Sequence, residues 1–550
     1  MSNDFGDNYE KRERYDYTTD PYRNEPKKGY GCWTGCGCGC LIFLLALIVG
    51  GFLVYNICLK GSPLQVSPET TVITEPLKSD GKNVDFFKVV VDISEPKIPA
   101  EENGFKNVLE AYGKQIFESQ FGVQRDWPYE ETCRHFGLDP TALKPTSVFE
   151  DAPEQFVRKT PKADEKPKAD ENAEDAKDEM SPLDDSDARA EGYAESFVHL
   201  ADTPWTVEER PTMKEWLEKV SPGLDIVQQA GLKEHYFIPM VRRNDKEVCL
   251  ATISQDAFQF HIRLSQGIRI RAMNRLATGE TEKAWKDILA SLRIYRQVLA
   301  GADFVSGLEE QTVNTALNRE LVETVVRHDR WTPELLTQAI ADMEKLPKWP
   351  ENKDFIRVFQ FLLLDAVSST GDMKNLLESF SPEQVDDDAA RAAGIVGFNW
   401  NLVAKKMNEQ FADLEGKVDG KTFKEILETF GDDPQARLEA EMHARFSGRP
   451  GDVIFKLLTV GGRSEFTGDI VGRIMTLLAG RIIVEEIHEE IHCRLLHAAL
   501  ALEKHKLQKK NYPDSLEALD LKEFEPSISI QYEKTGTGYV LSVGDIKIER

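Results

Sequence analysis

Beyond residue 60 this 550-residue chain is poor in cysteine: of its eight, Cys133, Cys249 and Cys493 alone lie there. So few thiols exclude a disulfide framework, and the core has to hold by apolar burial. Positive charge is also short, with 68 Lys and Arg against 94 Asp and Glu and a net charge of −26. Such a field repels phosphate backbones, which argues against nucleic acid as a partner. The sequence holds no G-x-S-x-G elbow, no G-x-x-x-x-G-K-[ST] loop and no G-x-G-x-x-G after a strand. Three common routes to hydrolase and nucleotide chemistry are thereby unsupported. Long apolar runs are missing too, with one exception.

That exception is CLIFLLALIVGGFLVYNICL, Cys40 to Leu59, twenty residues without a charge. Its length suits the hydrocarbon core, so it reads as a single-pass transmembrane helix and the chain's contact with the membrane. Lys11, Arg12, Arg14, Arg23, Lys27 and Lys28 precede it, whereas after Lys60 the next base is Lys78. This bias predicts a cytoplasmic N-terminus and an extracytoplasmic, periplasmic bulk at the cell membrane. Val54 to Cys58 lacks an A-x-A cleavage pattern, so the span reads as an uncleaved signal anchor. Cys32, Cys36, Cys38 and Cys40 match no structural zinc spacing and read as small residues at the membrane entry.

Around the span the composition changes sharply. Residues 1–39 form a disordered tail ending in the Cys/Gly cluster, and residues 60–100, with prolines among polar residues, read as an extended stalk. Within the stalk, FFKVVVDI at Phe86 to Ile93 is β-branched and reads as a strand. Residues 101–150 are helical in pattern, with Phe105, Val108, Leu109, Tyr112 and Ile116 on one face. Residues 151–192 are an acidic insert with little to bury, and its DDSD lacks the glycine-bearing loop that calcium needs. The segment DLEGKVDGKTFKE fails as a calcium loop as well, through Val418 and Lys424.

Residues 193–525 predict a mainly α domain. Thr206 is placed to cap a helix that breaks near Ser221-Pro222. Ile268, Ala272 and Leu276 face Ala284, Ile288 and Leu292 across Gly279, which predicts an antiparallel helical hairpin. That hairpin resembles one unit of a tetratricopeptide-like array. Its period does not recur, so an irregular bundle is expected. RVFQFLLLDAV is too short for a second span and reads as a buried core helix. Residues 526–550 carry SISIQYEKT and GYVLSVGDIKIE around GTG, a small C-terminal β-hairpin.

One chemical signature stands out. His488-Glu489-Glu490-Ile491-His492 spells H-E-x-x-H, which on a helix puts two imidazoles one turn apart with a carboxylate between them. In a zinc hydrolase His488 and His492 would hold the metal, Glu489 would take a proton from bound water, and Glu517 is the best third ligand by spacing. Against this, Glu485, Glu486, Glu490 and Arg494 load the flanks with charge. The apolar stripe Ile483, Ile487, Ile491, Leu495, Ala498 and Leu502 leaves both histidines at its edge.

ALALEKHKLQKKNYPDSLEALD, Ala499 to Asp520, resembles the helix-to-turn segment of pseudopilins. Together with PWTVEERPTMKEWLEKVSPGLDIVQQA and RAMNRLATGETEKAWKDILASLRIYRQV, it is similar to planctomycete-type bacterial proteins that are single-span, membrane-anchored and helical. That resemblance implies fold and topology but no activity. The expectation is a membrane-anchored extracytoplasmic protein that binds or scaffolds a protein or peptide partner through helical-hairpin surfaces, without cofactor. The alternative is a membrane-anchored zinc metallopeptidase.

Overall fold

The computed structural model describes residues 60–118, 126–150, 200–242, 250, 255–299, 319–349, 351–370, 397–431, 458–519, 521 and 528–550. All of these fall in one compact unit, Ile57–Arg550. The tail, residues 40–59 and the acidic insert at 151–192 lie outside the described residues. The transmembrane, single-pass reading needs correction: among the described residues no helix is long and apolar enough to cross a membrane. The longest of them carries buried and half-buried charge along its length, and residues 40–59 contribute no described helix.

The described chain is mainly α-helical with a small antiparallel sheet at its C-terminal end. The run Phe86–Ser94 is helix α1, not a strand. Asp85 caps it by accepting from Lys88 N, and Phe86 and Val90, one turn apart, bury together, with Phe86 5.7 Å from the Phe361 ring. A cap and an i, i+4 apolar pair here outweigh β-branched propensity. The surrounding 60–100 segment is no free stalk. Gln65 N donates to Asn401 Oδ1 at 2.7 Å, and Asn408 Nδ2 donates to the Glu69 and Thr70 carbonyls.

Helix α2, Gly104–Tyr112, buries the predicted face and stops at Gly113, whose φ of 57° ends the α conformation. Helix α3 follows at Asp126–His135, then α4 at Thr212–Gly231. Helix α4 runs through Pro222 instead of breaking there. Arg271 reaches over from the next helix and donates to the Ser221 and Leu224 carbonyls, so tertiary contacts hold the turn around the proline. Thr206 caps a separate turn upstream, exchanging hydrogen bonds with Glu209.

Helices α5, Gln255–Thr278, and α6, Thr281–Leu299, form the predicted hairpin around Gly279, φ 84°. All six predicted facing residues are buried. Helices α7 (Arg319–Arg327), α8 (Pro333–Met343), α9 (Asn352–Thr370), α10 (Trp400–Val418) and α11 (Phe423–Phe430) pack around α12, Val460–Lys509. At 50 residues α12 is about 75 Å long and forms the spine of the fold.

Along its first half α12 lies close to α10 because of its glycines. A Cβ on Gly468 would stand 2.5 Å from the Val403 carbonyl oxygen, and one on Gly472 3.0 Å from Met407 Cα. Gly468→Val should therefore wedge the two helices apart and cost about 1–3 kcal/mol. A drop in the thermal midpoint checks this, and an unchanged midpoint would show that the approach tolerates a side chain.

The C-terminal run forms three strands where two were expected: β1 Gln531–Lys534, β2 Tyr539–Val543 and β3 Ile546–Glu549. GYVLSVGDIKIE folds on itself at Gly544, φ 56°, placing Val543 opposite Ile546. The sheet is a meander, with Gln531 opposite Ser542. Tyr539, Leu541 and Ile548 bury its inner face, Tyr539 against the Tyr512 ring just past α12.

Candidate functional site

The second half of α12 is buried on nearly all sides, as expected of a central helix. Its predicted stripe is buried throughout, but so are Glu486, Glu489, Arg494, His497 and Glu503. Of the four charges flanking the H-E-x-x-H residues, Glu486 and Arg494 are thus buried and Glu485 and Glu490 half-buried.

This rearranges the H-E-x-x-H residues. His488 and His492 are half-buried, and burial, with the neighbouring imidazole of His488, pulls His492 down to about 4. His492 is therefore neutral at physiological pH. Glu489 is 1% exposed and accepts from the Cys493 thiol at 3.8 Å. Glu517 stands exposed in a single 3-10 turn, Leu516–Ala518, after α12 has ended. Its carboxylate is held below the usual range by a hydrogen bond from Ser515. Among the described residues no three His, Cys, Asp or Glu side chains are grouped to hold a metal ion, so the set His488, His492 and Glu517 is not brought together.

Glu490 instead points the way to a cleft of about 640 Å³. One wall is the α12 face from Ile483 to His497. Opposite stand Arg296 near the end of α6, the turn between α8 and α9 with Trp349, and the turn between α10 and α11 around Gly420. Each wall has a local cause. Thr422 and Glu425 form a reciprocal cap that starts α11, so the turn before it is tight. Pro347 interrupts the chain between α8 and α9 and leaves its carbonyl to accept from Arg296 Nη1 at 3.2 Å.

The floor is an ionic cluster. Arg296 Nη2 donates to Glu490 Oε2 at 2.8 Å and to Cys493 Sγ at 2.9 Å, and Arg494 Nε donates to Glu490 Oε1 at 3.1 Å. One carboxylate thus serves two buried guanidinium groups. The Arg296 Cζ lies 5.1 Å from the Trp349 ring centroid, a cation–π contact. At the upper edge His497 Nε2 is 3.8 Å from Glu344 Oε1.

Three residues that line this cleft each hold a buried polar atom without a hydrogen-bond partner: Arg296 Nε, Trp349 Nε1 and Glu486 Oε1. Burial raises Glu486 to about 8 despite the opposing Arg296 charge, so it is a neutral acid at pH 7. Cys493 is buried, and its thiol is pushed well up by desolvation.

Sequence reasoning missed Arg296, Trp349 and Glu486 as site residues. The available signal was charge beside apolar residues, the pair Glu485-Glu486 between Val484 and Ile487, and Arg296 in IYRQV. Each is indistinguishable in sequence from a residue on a wet helix face. Compared with known families, curated proteins and solved structures, the chain matches none, so the cleft is read from its own chemistry.

Proposed function

We propose that this chain works by non-catalytic binding, with the cleft between α6, α12 and the two turns as its recognition site. The irregular bundle, including the tetratricopeptide-like hairpin α5–α6, would serve as the frame that holds it. The observation carrying the proposal is the cleft of about 640 Å³, whose lining residues Arg296, Trp349 and Glu486 each keep a buried polar atom without a partner. Buried polar atoms normally have partners, and cavities of roughly 300–1,000 Å³ suit small ligands or peptide ends. The cleft's thiol supports binding over covalent chemistry. Desolvation, with the charges of Glu489 and Glu490, outweighs the opposing Arg296 and keeps Cys493 protonated, which is the opposite of an activated nucleophile.

A thermal-shift screen of the full chain against small acids, amines, neutral polar compounds and short peptides tests this. Hits should vanish in Leu346→Trp, which adds volume at a half-buried wall of the cleft. A screen without hits, or hits that Leu346→Trp leaves unchanged, would overturn the reading.

A further inference from the structure

The first half of α12 carries a second apolar face, turned away from α10. Ile470, Ile474 and Leu477 lie roughly half a turn round the helix from Gly468 and Gly472, the glycines that seat α10. All three are half-buried. Val471, Met475 and Leu478 beside them pack on the apolar core, and among the described residues Ile470, Ile474 and Leu477 are not part of that packing. We propose that this face is the seat of residues 434–446 of the same chain, docked antiparallel to α12 through Leu438, Met442 and Phe446.

Where the chain leaves and returns carries the argument. Helix α11 ends at Phe430 against α12, since a Cβ on Gly480 would stand 2.7 Å from the Phe430 ring. The chain is next described at Leu458, and α12 begins at Val460. Along the helix Gly480 and Val460 are about 30 Å apart. Residues 432–457 therefore have to travel back along the first half of α12. The chain between α9 and α10, residues 371–396, is under no such constraint. Helices α9 and α10 run antiparallel, with Gln360 Nε2 donating to Asn408 Oδ1 at 2.8 Å and Arg357 lying 3.6 Å from Glu415. Thr370 and Gly397 accordingly lie at one end of that pair.

The sequence of the segment matches the face. Asp433-Pro434 is a helix-start pair, and Leu438, Met442 and Phe446 recur at every fourth residue up to the stop at Ser447-Gly448. Polar residues fall between them, as an amphipathic pattern requires. On α12, Phe466, Ile470 and Ile474 are spaced by four as well. Two such ridges laid antiparallel set Leu438 against Ile474, Met442 against Ile470 and Phe446 against Phe466. Burying both stripes removes apolar surface from water on each side. A segment joined to the protein at both ends of the face also competes with any outside partner at an effective concentration of about millimolar order.

Oxidative cross-linking of the full chain tests this. Met442→Cys with Ile470→Cys, treated with copper–phenanthroline and read as the linked peptide by mass spectrometry, should form a disulfide within one chain. Each pair is identified by its own peptide mass, so native thiols do not enter the count. Met442→Cys with Glu465→Cys, an exposed position about 140° round α12 from Ile470, should link about tenfold less or weaker still. The preference should vanish in concentrated urea. Leu438→Cys with Ile474→Cys repeats the test one turn away, so that loss of fold in one variant does not silence it. Equal linking to Ile470→Cys and Glu465→Cys, or no disulfide in either facing pair, overturns the docking. So does a disulfide that joins two chains, which would give the face to a second copy. The cleft reading stands or falls separately, because none of the substituted residues lines the cleft.

Discussion

Asp287→Ala should cost this protein about 3–5 kcal/mol, seen as a large fall in the urea midpoint at pH 7. Asp287 lies on α6 and is fully buried. Its two carboxylate oxygens receive a fork from Arg271, Nε at 3.1 Å and Nη2 at 2.7 Å, and a further bond from Arg275 Nη1 at 2.6 Å. Gln228 of α4 donates as well, so the carboxylate ties three helices together. Arg271 is 1% exposed. Without Asp287 its charge stays buried, and the half-exposed Asp225, at 2.7 Å, is a weak replacement. Burying an ion pair confers little net stability, but removing one member leaves the desolvation cost of the other. The double replacement Asp287→Leu with Arg271→Met should accordingly recover much of the loss. If Asp287→Ala melts like the wild type, or the double variant is worse than the single, this account of the α4–α5–α6 contact is wrong.

Glu486→Gln should make the folded chain markedly less sensitive to alkali. In the unfolded chain Glu486 ionises near 4.5, whereas in the fold burial holds it protonated up to about 8. Between these values the folded state keeps a proton that the unfolded state has released. The stabilisation is therefore complete below pH 4.5 and drains away as pH rises to about 8, at about 1.4 kcal/mol per pH unit. Over that interval the loss is about 3–5 kcal/mol. Glutamine keeps the shape and a neutral donor but has no proton to lose. Urea midpoints of the two proteins should thus draw apart between pH 5 and pH 8, with the variant the more stable at pH 8. Parallel curves would show that Glu486 is ionised in the fold.

The helical hairpin α5–α6 was legible because its signals are local. A positive-φ glycine, two apolar stripes and a short turn all lie within about fifty residues, and each acts on the chain nearby. Gly104–Tyr112 and the buried α9 were legible for the same reason. Phe86–Ser94 was misread because β-branched propensity is weak beside a cap and burial against Phe361. Pro222 was misread as a break because the contacts that hold its turn come from Arg271, a helix away in sequence. The third strand was hidden because a Gly-Asp turn inside one β-rich run gives no composition change.

The H-E-x-x-H signature shows the same division at the site. Sequence alone determined that residues 483–502 form a helix, that an apolar stripe runs along it, and that two histidines sit one turn apart. Those properties follow from periodicity, which each stretch of chain carries in itself. Tertiary structure alone decided that Glu486, Glu489 and Arg494 are buried and that Glu490 joins Arg296, 194 positions earlier. A charged residue on a helix looks the same in sequence whether water or another helix covers it. Only the packing of α6, α8, α10 and α11 around α12 turns those charges into the floor of a cleft. Desolvation then gives Glu486 a neutral carboxyl that its sequence neighbours could not confer.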